Sequence, residues 1–221
     1  MNNSSNNGSP DDSEEHGELV WNEFDWERYL RQRDEAVGEY RQVYDKVADQ
    51  PERIDEIARQ LGWEPTLDGD ADGDDDDDED FDDDLDPYTL HRNPVYVATR
   101  ALFAGLIEAT EAAALSGIDF SAVHAFPLLR TLHAAEMSVV LGVQSLDLGD
   151  TALGISQLKR ALSLLNRAMS LVPDSPSGAE DDLPELNRYA RPRLFDLREI
   201  CLRVVRESRL ELDQPLEDEE N

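Results

Sequence analysis

From Asp68 to Asp86 the chain reads DGDADGDDDDDEDFDDDLD, nineteen residues of which fourteen are carboxylates and none is basic. No apolar core accepts such a run, because unpaired carboxylates are costly to desolvate and like charges at this density repel. The tract therefore splits the chain, and any packed structure must be built from what lies on either side of it. It is itself a solvated linker, a cation site or a surface offered to something basic.

The net charge of −31 over 221 residues is concentrated rather than general. Residues 87–176 carry seven acids (Glu108, Glu111, Asp119, Glu136, Asp147, Asp150, Asp174) against six bases (Arg92, Arg100, Arg130, Lys159, Arg160, Arg167). Acidity held mostly in one tract, the N-terminal arm, the 178–185 stretch and the LEDEEN tail argues against salt adaptation. It also argues against a broad surface for nucleic acid or anionic lipid. The single cysteine, Cys201, excludes an intrachain disulfide and sits among apolar neighbours at helical spacing, as a small core residue does. The opening MNNSSNNGSPDDSEE has neither the basic start nor the apolar stretch of a secretory signal, and no apolar run approaches the roughly 18–20 residues that cross a bilayer. These features point to a cytoplasmic protein.

Helical periodicity begins at Trp21. Asn22 is a helix cap, and Trp21 and Trp26 hold the two positions of a hydrophobic staple. Trp26, Leu30, Val37, Tyr40, Tyr44 and Val47 then form one stripe in steps of mostly three and four. After Pro51 a short helix carries Ile54, Ile57, Ala58 and Leu61 to a stop at Gly62. Asn93 and Pro94 open an alanine-rich helix ending at Gly117, whose small residues suit a position inside a bundle. Pro127 predicts a turn and then a helix with Leu128, Leu132, Ala135, Val139 and Val143 on one face. Asp150 begins a helix with two adjoining apolar seams, one of them Ile155, Leu158, Leu162, Leu165, Met169 and Val172, and that width predicts a central place. Pro184 and Pro192 predict a broken last helix through Leu194, Leu197, Cys201 and Val204. Alternating strand patterns are missing. The expected fold is all-α, an irregular bundle of four long helices plus shorter ones. Its expected divisions are a disordered arm (1–20), a helical pair (21–63), an acidic linker (64–92), a bundle core (93–212) and an acidic tail (213–221).

Residues 68–79 satisfy the EF-hand loop pattern. Asp68, Asp70 and Asp72 would give side-chain oxygens, Gly73 the sharp turn, Asp74 its carbonyl and Glu79 a bidentate carboxylate for Ca²⁺. Where nearly every residue is Asp, only Gly73 and Glu79 discriminate. Asp75 stands where such loops place an aliphatic residue, and Pro65 interrupts the entering helix. We expect calorimetric titration near physiological salt to give no saturable Ca²⁺ site tighter than about millimolar; a micromolar isotherm abolished by Glu79→Gln would reverse that order.

A second metal arrangement, His133 and Glu136 with Glu108 and Glu111 on a neighbouring helix, lacks the paired Glu-x-x-His motifs of di-iron bundles. His16, His91 and His124 have no ligand partners at useful spacing. Nucleophile elbows and phosphate or dinucleotide loops are missing too. Residues 184–210 hold seven arginines, at 188, 191, 193, 198, 203, 206 and 209, fit either for an acidic partner or for ion pairs within the chain. The sequence thus favours a non-enzymatic helical interaction module whose acidic loop meets a basic protein, with a homodimer open on the wide seams. A Ca²⁺-binding protein and a helical metalloenzyme are the alternatives.

Overall fold

A computed structural model describes residues 21–63, 90–117, 120–174 and 184–213, and these are all-α. The six helices are α1 (Glu23–Val47), α2 (Arg53–Gln60), α3 (Pro94–Ser116), α4 (Ala122–Asp147), α5 (Thr151–Leu171) and α6 (Glu185–Asp213), with one 3₁₀ turn at Leu90–Arg92. Packing runs α3 on α4, α4 on α5, α5 on α6 and α6 back on α3, so these four helices close a ring. A cavity of about 330 Å³ at one end is lined by Asn93, Asp147, Thr151 and Ser208. It marks the start of α3 and α5 and the end of α4 and α6, which makes the ring an antiparallel four-helix bundle. The fifth long helix, α1, lies on α3, and α2 folds back against α1.

Local chemistry sets the ends. Asn22 accepts from the Phe24 and Asp25 amides while Asp25 accepts from the Asn22 amide, a reciprocal capping box, and the Trp21 and Trp26 rings meet edge to face at 5.0 Å. The Asn93 side chain caps α3 through the Val95 and Tyr96 amides, with Pro94 in the first turn. Helix α2 ends as Gly62 turns left-handed (φ 68°), letting Trp63 donate to the Ala58 carbonyl and Gly62 to that of Arg59.

Five expectations are corrected. Helix α4 begins at Ala122 and runs through Pro127. That proline lies in the second turn, between residues that are mostly solvent-exposed, where a single missing amide donor leaves one carbonyl to water. Helix α6 likewise runs unbroken through Pro192, held before and after it by buried Leu186, Asn187, Ala190, Leu194 and Leu197. The central helix is α3, which contacts α1, α4 and α6, rather than α5, which lies between α4 and α6. The buried line of α5 follows Ile155, Leu158, Ala161, Leu165 and Ala168, combining parts of both seams. In α1, burial is concentrated at Tyr40, Val43, Tyr44 and Val47, whereas Trp26 and Leu30 are exposed.

The tightest approach is between α4 and α5, which share the most extensive interface. Gly142 faces Leu158 and the Gly154 carbonyl; Gly154 faces Leu146 and the Gly142 carbonyl. Gly154, Ala161 and Ala168 recur every seven residues on α5, and Ala135 and Gly142 do so on α4, all buried. Small side chains at that interval keep two backbones close along an antiparallel seam.

Candidate functional site

Asp68, Asp70, Asp72, Asp74 and Glu79 lie outside the described residues. The helical carboxylates do not converge. Glu108 of α3 is held by Arg41 of α1 at 3.0 and 2.5 Å, and that guanidinium holds its carboxyl below the usual range. Glu136 pairs with Arg100, His133 is exposed, and Glu111 faces solvent. Among the described residues, no three His, Cys, Asp or Glu side chains gather where a metal ion could be held. Cys201 is buried, and desolvation pushes its thiol up to about 12, far from a reactive thiolate.

Six of the seven arginines of α6 divide into two sets, and the seventh, Arg191, lies 3.8 Å from Asp174. Arg193 and its neighbours turn inward and lock α1 and α2 onto the bundle. The Arg193 guanidinium lies over the Tyr189 ring at 3.6 Å and the Tyr44 ring at 4.7 Å, and donates to Asp45 at 2.7 Å. One turn on, Asp196 accepts from Tyr44 Oη at 2.5 Å and from Arg53 Nε and Nη2 at 2.6 and 2.7 Å. Arg193 is 7% exposed and Asp196 6%. Burial, then the Asp196 carboxylate, pushes the Tyr44 phenol above its ordinary value. Arg203 adds a pair to Asp55 of α2 and one to Glu199. The outer set, Arg188, Arg198, Arg206 and Arg209, makes no ion pair with a described residue. Sequence periodicity cannot see this division, because Arg193 and Asp196 read as surface charges until α1 is laid over them.

A hollow of about 860 Å³ is an open groove between α1, the end of α2 and the start of α3. Gln32, Glu35, Glu39, Gln42 and Trp63 are among the residues lining it. Its mixed polar and apolar lining gathers no reactive pair.

The outer face of α4 is different. Val123, Phe126, Ala134, Met137 and Leu141, with Leu148 just past the helix, fall on one line of three- and four-residue steps that Arg130 and Gln144 complete, directly opposite the buried Leu128, Leu132, Ala135, Val139 and Val143. The large ones are 79, 68, 59, 41 and 83% exposed in the order Val123, Phe126, Met137, Leu141, Leu148. Arg130 is the single charge on the line. On the order of 600 Å² of apolar side chain is thereby presented along one helix, the size at which such patches are functional. The signal was in the sequence: α4 carries apolar residues on two opposite faces, as helices covered on both do. Reading only its best face hid the other.

No protein-family model, no curated protein and no solved structure matches this chain. Among the described residues, no helix is long and apolar enough to cross a membrane.

Proposed function

We propose that this chain is a non-enzymatic helical interaction module that docks through the outer face of α4, with its acidic tract turned toward a basic surface. The observation that carries the reading is the apolar line from Val123 to Leu148, which no described residue covers. Exposed apolar surface of this extent costs solubility, so it persists where something binds. The tract, at fourteen carboxylates in nineteen residues, supplies long-range attraction that speeds encounter with a basic partner. A cytoplasmic setting belongs to the same proposal, since the one thiol is buried and the chain needs no disulfide.

The test immobilises the full chain and compares it with Phe126→Glu and Met137→Glu. Exposed positions tolerate these changes, so both variants should stay folded, with helix content by circular dichroism equal to the parent's. Proteins captured from extract, or a labelled copy of the chain added to it, should be retained by the parent and lost from both variants. Equal retention by parent and variants, or retention of nothing, would end the reading.

A further inference from the structure

We infer that the occupant of the α4 face is a second copy of this chain, its α4 packed antiparallel on the first. This rests on the α4 face being the docking surface and names what docks there. The argument starts from the order of side chains on the line: Val123, Phe126, Arg130, Ala134, Met137, Leu141, Gln144, Leu148. Reversed and laid against itself, the line sets Val123 opposite Leu148, Phe126 opposite Gln144, Arg130 opposite Leu141 and Ala134 opposite Met137. The central pairs place a long flexible thioether over a methyl group on both sides of the twofold axis, which is the self-complementarity that an isologous interface requires.

Charge selects the same arrangement. In a parallel pair the two Arg130 guanidinium groups would face one another. In the antiparallel pair they are eleven residues apart along the axis, about 16 Å, beyond the Debye length of about 8 Å at physiological salt. Two copies at −31 repel wherever their acidic parts meet, but α4 and α5 together carry four bases (Arg130, Lys159, Arg160, Arg167) against two acids (Glu136, Asp147). This side of the bundle therefore holds none of the acidic excess that keeps like copies apart.

Area and composition complete the case. The apolar line alone offers on the order of 600 Å² per copy, and the exposed Arg130 and Gln144 within it and His133 beside it bring it near the roughly 800 Å² per partner of a stable interface. Within the chain the longest alternative cover is residues 64–89, whose apolar residues Leu67, Phe81, Leu85 and Tyr88 are scattered among carboxylates. Such a segment would bring its charges onto an apolar face. A twofold dimer also presents two acidic tracts at once, so a basic partner with two sites gains by avidity.

Light scattering after size exclusion on the full chain decides the matter. At roughly 50 µM the expected mass is twice the 24.9 kDa of one chain, and raising NaCl from about 0.05 to 0.5 M should tighten the dimer by screening the acidic repulsion. Met137→Glu should raise the dissociation constant by at least about 100-fold, leaving a folded monomer by circular dichroism. Register is read separately: Ala134→Cys mixed with Met137→Cys should oxidise mainly to the mixed disulfide, whereas each alone oxidises poorly. A parent that stays monomeric at every concentration and salt overturns the inference. So does a dimer that Met137→Glu leaves intact, or one whose cysteine variants cross-link preferentially like to like. A monomer that still loses a captured foreign protein on Met137→Glu overturns the dimer while leaving the docking face standing.

Discussion

Replacing Asp196 with alanine is expected to lower stability by roughly 3 kcal/mol or more, a fall in thermal midpoint of roughly 6–12 °C for a chain of this size. The carboxylate accepts three hydrogen bonds, two from Arg53 and one from Tyr44, and its side chain is 8% exposed against 16% for that of Arg53. Removing it strands a guanidinium and a phenol that have lost most of their water. The remaining acceptors of Arg53, the Tyr44 hydroxyl and the Gln50 carbonyl at 3.2 Å and the Pro192 carbonyl at 3.4 Å, are all neutral. The same physics predicts a rescue. Arg53→Met with Asp196→Leu removes both charges and keeps the volume filled, so the double variant should recover most of what Asp196→Ala loses. Urea unfolding of the three proteins measures this. A loss below about 1 kcal/mol for Asp196→Ala would mean that water replaces the carboxylate, and the cluster would not be what fastens α1 and α2 to α6.

The second large effect is at the α4–α5 seam. A Cβ on Gly142 would lie 3.0 and 3.1 Å from Leu158, which is fully buried, and one on Gly154 would lie 2.6 Å from Leu146 and 3.1 Å from the Gly142 carbonyl. Gly142→Ala should be close to neutral, since about 1 kcal/mol of helix propensity offsets a contact a few tenths of an ångström too short. Gly142→Leu and Gly154→Leu have no such offset, because four side-chain atoms must enter a space sized for hydrogen. Each is expected to cost roughly 3 kcal/mol. Together they should cost clearly less than the sum, because once one has pushed the helices apart the other finds room. Full additivity would show that the two glycines do not share one gap.

What could be read from the sequence follows the range of the interactions involved. The caps at Asn22 and Asn93 and the stops at Gly62 and Gly117 are settled within five residues, and they stand in the structure as the residues imply. Pro127 and Pro192 misled because a proline's cost in a helix is local while its compensation, the burial of Leu128 or of Leu194 and Leu197, is tertiary. The place of α5 was misjudged for a related reason. An apolar face two seams wide signals two neighbours but not which helix those neighbours surround; α3, with its many alanines, is the one enclosed. The α4 line gives no separate periodic signal, because apolar residues on opposite faces of one helix leave little contrast between them. The Asp196 cluster had no sequence signal, since its members are 143 and 152 residues apart.

Helix α6 is the last of the six to be synthesised, and it both closes the ring and carries the polar anchors for α1 and α2. At about 5–20 residues per second, the stretch from Asp174 to Asp213 takes seconds to emerge. Through that interval the channel later filled by Leu186, Leu194, Leu197, Ile200, Cys201 and Val205 stands open between α3 and α5. The nascent chain is thus an incomplete bundle with an apolar trough, and its most vulnerable moment in the cell precedes the arrival of one helix.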